Sequence, residues 1–269
     1  MKDSGNSYLQ AFLTKLVTVL VLLGICIFAT TIGNKMSKNN EEKENKKEVE
    51  ITEKATIDSL NEKVKYLNNI KEPMIVPESS SNLNYIYSKN LSNKDLSNKA
   101  KLTAVLLQLE KEDKFEDVND DYYSSQYNGT SVSKIDFANV NKTYKNIFGT
   151  DISSKEDIEW SPSFVYNKER NEYYCLYVGN NKDDGSLSET YIYKYTESKN
   201  YAHVYIAYAT VKMGEEDTFA IYKDYKGKNK YMEAAGFKFD EENYKEFSHY
   251  KITFRIFDDE YIFDNIEQL

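Results

Sequence analysis

The chain is poor in cysteine and histidine, with two of each among 269 residues. Cys26 lies inside an apolar run, and Cys175 stands alone in the remainder of the chain. A disulfide framework needs several cysteines on the oxidising side of a membrane, so none is predicted. The surrounding YYCLYV favours a buried core thiol at Cys175, and the alternative is an intermolecular disulfide outside the cell.

The motifs that carry catalysis or hold metals are also missing. His203 and His249 have no partners at the spacing of HExxH, of a paired-cysteine zinc site or of a nucleophile elbow. The acidic spacing from Asp117 resembles a calcium loop, but Tyr122 stands where glycine is needed and Asn128 where glutamate is needed. The sequence has no glycine-rich loop of the kind that binds phosphate groups. We therefore predict no catalytic, cofactor-binding or metal-binding residues, and no cofactor.

The chain also lacks a positive charge balance. Its net charge is −9, with a sequence pI near 5.0. An acidic domain is repelled by phosphate backbones, so nucleic acids are excluded as general partners.

One long apolar run is present, from Leu16 to Ile32, and it predicts a membrane anchor. Its seventeen residues reach the lower limit for crossing a hydrocarbon layer of ~30 Å. A cleaved signal peptide is the first alternative, although Phe28 to Gly33 match a cleavage site poorly, and a buried soluble helix is the second. We expect a short tail over residues 1–15 and a single-pass helix over residues 16–33, with the lipid bilayer as partner.

Charge around the run bears on the orientation of the chain. Lysines lie on both sides of it: Lys2 and Lys15 before, and Lys35, Lys38, Lys43, Lys46 and Lys47 after. Their count would keep the C-terminal side in the cytoplasm, but a long domain is exported largely regardless of charge. We expect an extracytoplasmic domain, and the alternative is a regulator that faces the cytoplasm.

Residues 34–50 are almost devoid of apolar side chains and predict a solvated tether. Residues 51–72 predict a helix, either a stalk or the first helix of the domain. Its apolar residues at three-four-three spacing are Ile57, Leu60, Val64 and Leu67. This short pattern favours packing on the chain's own domain, and the alternative is a weak membrane-proximal dimer through the same four residues.

Residues 73–269 predict one α+β domain. Helices are expected from Ser97 to Lys111 and from Ile135 to Phe148, where Gly149 stops the second, and a last short one is expected from Asp240 to Phe247. From Trp160 onward the spacing of apolar residues changes to a period of two. This period predicts strands at Phe164–Tyr166, Tyr173–Val178, Thr190–Tyr195, Tyr201–Met213, Phe219–Lys223, Tyr250–Ile256 and Tyr261–Glu267. The helices should cover one face of a curved antiparallel sheet. In element order this is similar to NTF2-like and cystatin-like folds.

One basic and aromatic cluster is a candidate ligand patch. Its members are Tyr222, Lys223, Tyr225, Lys226, Lys228, Lys230 and Tyr231. Ammonium groups beside aromatic rings could bind an anionic envelope polymer, a glycan or a phosphate-bearing lipid head. The alternative is a solvated hairpin whose lysines protect a sheet edge from aggregation.

Five segments carry a resemblance to a known group of proteins. They are the apolar anchor, Ser59–Asn69, Leu96–Leu109, Tyr144–Asp151 and Tyr250–Glu267. Together they resemble single-pass, membrane-anchored proteins of low-GC Gram-positive bacteria that have no assigned activity. The resemblance implies an outside topology and an α+β domain, and it transfers no site residues.

These features predict a non-catalytic, membrane-anchored extracytoplasmic module that binds an envelope polymer or another membrane protein. The competing hypothesis is an envelope enzyme whose carboxylate pair, ~5–9.5 Å apart, leaves no sequence motif.

Overall fold

The computed structural model describes residues 48–70, 83–118, 132–159, 162–176, 186–214 and 218–269. Every helix and strand given below belongs to one compact unit, Val49–Leu269. The predicted tail, the apolar run and most of the tether lie outside the described residues. Among the residues that are described, no helix has the length and apolarity needed to cross a bilayer.

The described residues contain three α-helices, and local sequence signals mark the start of the second and the end of the third. The helices are α1 (Lys54–Leu67), α2 (Asn98–Lys111) and α3 (Phe137–Phe148). The Ser97 hydroxyl accepts a hydrogen bond from the Ala100 amide at 3.1 Å, as the sequence predicts for the start of α2. Helix α3 ends at Gly149, whose φ of +77° suits glycine.

Two of the helix predictions differ from the observed elements. Helix α3 starts two residues after Ile135, because residues 132–136 are extended and pair with another strand. The expected helix from Asp240 to Phe247 is only a 3-10 turn, Asn243–Glu246. Its polar sequence has no apolar stripe that could hold a longer helix on the core.

The described ranges contain twelve strands: β1 (Val49–Glu50), β2 (Leu91–Ser92), β3 (Glu116–Asp117), β4 (Val132–Asp136), β5 (Ser163–Asn167), β6 (Glu172–Leu176), β7 (Ser186–Glu197), β8 (Tyr201–Met213), β9 (Phe219–Tyr222), β10 (Lys230–Ala234), β11 (Ser248–Phe257) and β12 (Glu260–Gln268). Strand β1 consists of the last two residues of the predicted tether, which pair with β7. The α+β prediction is therefore confirmed.

Within the described ranges the strands form two antiparallel sheets, whereas the sequence predicts a single one. The larger sheet has the order β1-β7-β8-β11-β12-β2, with β9 and β10 added beside the second half of β8. The smaller sheet has the order β3-β4-β6-β5. The sequences of β3 and β4 show no clear alternation of apolar and polar residues. Without these two strands, nothing in the sequence separates β5 and β6 from the strands of the larger sheet.

One apolar core joins the three helices to both sheets. Helix α2 is buried on every side from Leu102 to Leu109, as expected for an interior helix. On α1, Leu60, Val64 and Leu67 are buried in this core, and Ile57 packs against it. The four residues that were candidates for a dimer seam are therefore occupied by contacts within the chain.

Tyrosine supplies much of the packing. Tyr87, Tyr208 and Tyr250 form a buried triad with ring centroids 4.8 to 6.1 Å apart. A second cluster, around Phe239 and Phe247, lies by β7 to β10. Its aromatic rings include Tyr191, Tyr193, Tyr231, Phe237 and Tyr244.

Candidate functional site

The sequence-predicted ligand patch runs from the last residue of β9, Tyr222, through the turn to the first two residues of β10. Two of its lysines are paired: Lys223 with Glu246 at 2.9 Å and Lys230 with Glu233 at 2.6 Å. Lys226 and Lys228 are exposed. The cationic surface of the patch is therefore smaller than its sequence suggests.

The aromatic members of the patch pack inward or beside lysines. The Tyr225 ring lies 6.0 Å from Tyr208, and the Tyr231 ring lies 4.8 Å from Phe247. Tyr222 lies under the Lys212 ammonium at 5.2 Å. Two of the three rings thus contribute to the cores, and they are not arranged as an open stacking platform.

The same turn is held by one carboxylate. Asp224 accepts hydrogen bonds from the amides of Lys226 at 2.9 Å and Asn229 at 2.7 Å. The hydroxyl of Thr210 donates to the Asp224 carbonyl at 2.9 Å. These bonds give the turn a structural role that needs no ligand.

The other candidate side chains of the sequence are packed. His203 is buried, with Nδ1 at 3.2 Å from the Thr253 hydroxyl, and His249 has Nε2 at 3.0 Å from the Tyr244 carbonyl oxygen. Cys175 is fully buried, and this burial raises the pKa of its thiol to about 12. Within the described ranges, no group of three or more His, Cys, Asp or Glu side chains could hold a metal ion.

A large groove lies elsewhere, between the helices and the tip of the β11–β12 hairpin. Its volume is about 970 Å³, near the upper end of the ~300–1,000 Å³ typical of small-molecule pockets. Its apolar lining comes from elements far apart in the sequence: Tyr66, Leu109, Ile135, Phe257 and Ile262. We call this site the basic groove because of the charges at its rim.

The hairpin supplies one wall of the basic groove. Arg255 lies opposite Ile262, and Phe257 lies opposite Glu260, in the β11–β12 register. Alternate residues of a strand share a face, so these four side chains lie on the same side of the hairpin. Phe257 is 63% exposed there, which leaves a large apolar ring at the groove.

Charges of both signs surround the apolar lining. The cations are Lys114, Lys142, Lys145 and Arg255, and the carboxylates are Asp258 and Glu260. Lys145 pairs with Asp151 at 3.5 Å. No described residue pairs with the side chain of Lys114, Lys142 or Arg255. The rim is therefore net positive on a chain whose net charge is −9.

Lys63 joins three elements behind the basic groove. Its ammonium donates to the carbonyl oxygen and to the side-chain oxygen of Asn146, both at 2.6 Å, and lies 3.9 Å from the Glu260 carboxylate. Its side chain is only 4% exposed. Burial lowers the pKa of Lys63 to about 8, against the opposing effect of Glu260. This contact fixes α1, the last turn of α3 and the hairpin relative to one another.

Sequence reasoning missed the basic groove because its residues come from separate elements. Lys142 and Lys145 are three apart on α3 and thus share a face, which is the one local signal present. Nothing in their spacing connects them to Arg255.

Comparison of the chain with protein-family models, with curated proteins and with solved structures finds no match.

Proposed function

We propose that the chain is a non-catalytic binding module, held to the membrane by residues 16–33 and exposed outside the cell, which takes its ligand in the basic groove. The observation that carries this proposal is the groove itself, which has a volume of about 970 Å³, an apolar lining and three cations, Lys114, Lys142 and Arg255, that no described residue pairs. Apolar pockets with a few convergent polar groups are the usual form of ligand sites.

The proposal includes the finer expectations from the sequence. These are the single-pass anchor, the tether, the relation to membrane-anchored proteins of low-GC Gram-positive bacteria, and the similarity in element order to NTF2-like and cystatin-like folds. The apolar run of seventeen residues supports the anchor.

Topology is tested by protease treatment of intact cells that carry a C-terminal epitope on the full chain. We expect loss of the epitope, because the whole unit Val49–Leu269 would be accessible. Survival of the epitope in intact cells, with loss after lysis, would instead support the regulator that faces the cytoplasm.

Occupancy of the basic groove is tested by photocrosslinking in intact cells. A photoreactive amino acid replaces Thr143, which lines the groove, or Ala138, which is exposed on the same helix outside it. We expect a discrete adduct at position 143 that is absent at position 138. Equal labelling at the two positions would refute a ligand site in the groove.

The patch of Tyr222, Lys223, Tyr225, Lys226, Lys228, Lys230 and Tyr231 remains a second contact surface in this proposal, for an anionic envelope polymer or another membrane protein. Its exposed ammonium groups, Lys226 and Lys228, are the ones to test. Charge reversal at both lysines should weaken binding of the chain to isolated envelopes. Unchanged binding would show that the patch is not a contact surface.

A hydrolase-type site is the second candidate function, because Asp258 and Glu260 both line the basic groove. Paired carboxylates are the machinery of glycoside hydrolysis. If this function holds, the full chain cleaves envelope glycans and Asp258→Asn abolishes the cleavage. A wild-type chain that leaves such glycans intact would remove this candidate.

A further inference from the structure

Arg255 is the residue of the basic groove that most narrows the class of ligand. Arg170 and Arg255 are the two arginines among 35 basic residues. Arg170 has a partner within its own sheet, since its guanidinium donates to the Tyr174 hydroxyl at 2.9 Å. No described residue accepts a hydrogen bond from the exposed guanidinium of Arg255. A guanidinium presents a planar pair of donors that matches a carboxylate or a phosphate.

The charges around Arg255 leave a cationic surplus. Among the described residues that line the groove or bond to its lining, the cations are Lys63, Lys114, Lys142, Lys145 and Arg255, and the carboxylates are Asp151, Asp258, Glu260 and Glu112, which accepts from the Tyr66 hydroxyl. Lys145 is matched by Asp151 and Lys63 lies beside Glu260. The surplus of one positive charge therefore resides on Arg255, Lys114 and Lys142, with Asp258 and Glu112 as the opposing charges. Such a field attracts an acidic ligand.

The apolar lining shows that a bare anion would fill little of the site. Phe257 and Ile262 flank Arg255 on the hairpin, and Leu109 and Ile135 line the groove from other elements. Phe257 is the exposed member of this set, since Leu109, Ile135 and Ile262 are already buried. Covering its ring removes apolar surface from water, which favours a ligand with a hydrocarbon part.

We propose that the basic groove binds an amphiphile with an acidic head, a carboxylate or a phosphate. Arg255 and Lys142 hold the head, and the hydrocarbon part lies against Phe257, Ile262 and Leu109. This inference rests on the proposed function, because it assigns a ligand class to the same groove.

The test uses the full chain in nanodiscs of neutral phosphatidylcholine. The probes are a long-chain fatty acid that carries a diazirine and the matching primary alcohol. After irradiation, mass spectrometry locates the labelled peptides, so probe dissolved in the lipid does not obscure labelling of the groove. We expect the acid to label α3 and the β11–β12 hairpin at concentrations at least ~10-fold below those the alcohol needs, as a charge-assisted contact implies.

Arg255→Gln should raise the acid concentration needed by ~10-fold and leave labelling by the alcohol unchanged. Arg170→Gln is the matched control, since it removes the same charge from the smaller sheet and should change neither probe. Lys142→Gln provides an independent variant should Arg255→Gln fail to fold. Retention of full acid preference in both groove variants would overturn the assigned head contacts.

Competition separates the two head groups and the hydrocarbon contribution. An alkyl phosphate and an alkyl carboxylate should both displace the acid probe, and the stronger competitor identifies the head. Inorganic phosphate should displace it poorly, and equal displacement by inorganic phosphate would refute an amphiphile. Equal labelling by acid and alcohol would overturn this inference while the groove remains a ligand site. In-cell adducts at position 143 test that wider proposal separately.

Discussion

Individual hydroxyl groups decide how the tyrosine-rich core is satisfied. In the buried triad, the Tyr250 hydroxyl donates to the Tyr87 carbonyl oxygen at 2.9 Å, and the Tyr87 hydroxyl donates to Asn68 at 2.7 Å. The Tyr208 hydroxyl lies 2.9 Å from that of Ser188. A buried polar group without a partner is costly, so each of these bonds permits an aromatic ring to be fully buried.

Tyr250→Phe should lower the free energy of unfolding by about 1–2 kcal/mol, because it leaves the buried Tyr87 carbonyl without this donor. Urea unfolding followed by circular dichroism measures the change. Tyr222→Phe is the control: that side chain is half-buried at a strand end, and a change within about 0.5 kcal/mol is expected. Equal losses in the two variants would show that the triad bond contributes nothing specific.

Lys63 gives the chain a distinctive dependence on pH. The pKa of its ammonium is about 8 in the folded chain and near its ordinary value of 10.5 in the unfolded chain. Between these values the folded chain has released the proton and the unfolded chain still holds it. The contribution of Lys63 to the free energy of unfolding therefore increases with pH across this window, by up to ~1.4 kcal/mol per pH unit.

The difference in unfolding free energy between wild type and Lys63→Met should accordingly grow from pH 7.5 to pH 10. Burial raises the pKa of Tyr144, Tyr208 and Cys175 to about 12 each, so these three groups lower the free energy of unfolding at high pH. They are present in both proteins, and their effect cancels when the two free energies are subtracted. Lys54→Met is the control, because Lys54 is exposed. Parallel pH profiles for wild type and Lys63→Met would contradict a buried ammonium at this position.

At the scale of single elements, the end of α3 depends on one glycine. Gly149 has a φ of +77°, and a Cβ there would lie 2.7 Å from the Cγ2 of Ile262 on β12. An L side chain is strained at such a φ, and the contact would press on the wall of the basic groove. The sequence predicts the stop at Gly149, whereas the close approach to Ile262 depends on how α3 meets the hairpin.

Gly149→Ala should lower the free energy of unfolding by about 1–2 kcal/mol, from the left-handed backbone and the contact with Ile262 together. Thermal unfolding provides the measurement. Gly236→Ala is the matched control, since no atom lies within 4 Å of its added Cβ. A loss at position 236 as large as that at position 149 would point to a general effect of replacing glycine.

Long periodic elements could be predicted from the sequence, and short ones could not. The sequence predicts strand β8 with its observed bounds, since thirteen residues rich in Tyr, Val and Ala without Gly or Pro are a strong strand signal. Strands of two residues, such as β2 and β3, are too short to show a period of two in their apolar residues. Strand β10 shows no such period because its side chains are exposed or half-buried. Their pairing is decided by tertiary contacts, which is why one sheet was expected where two exist.

The candidate sites divide in the same way. The lysine patch was visible because its residues are neighbours in sequence, but the pairing of Lys223 with Glu246 depends on a segment twenty-three residues away. The basic groove joins Lys114, Lys142 and Arg255 only through the fold. A sequence pattern could show the composition of the first site and nothing of the second.

At the scale of the whole molecule, the two sheets share one core. Phe164, Tyr173 and Cys175 of the smaller sheet belong to the same buried cluster as Tyr208 and Phe254 of the larger sheet. Helices α1, α2 and α3 contribute to this cluster as well. Among the described residues, the smaller sheet's own buried cluster contains only Val132, Tyr174 and Leu176, which is too small to hold that sheet folded alone.

A chain reduced to residues 49–269 should consequently fold without the anchor and unfold in a single transition. Cys175 would be its only cysteine, because Cys26 lies in the apolar run. Its thiol reactivity reports on the smaller sheet, where it is fully buried, and near-ultraviolet circular dichroism reports on the ordered tyrosine rings of the whole core, among them Tyr208 and Tyr250 of the larger sheet. The two urea profiles should coincide, since removing either sheet exposes the shared core. If Cys175 reacted at urea concentrations that leave the tyrosine signal intact, the smaller sheet would be a separate cooperative unit. The basic groove, which Ile135 of β4 lines, would then lose part of its wall before the hairpin unfolds.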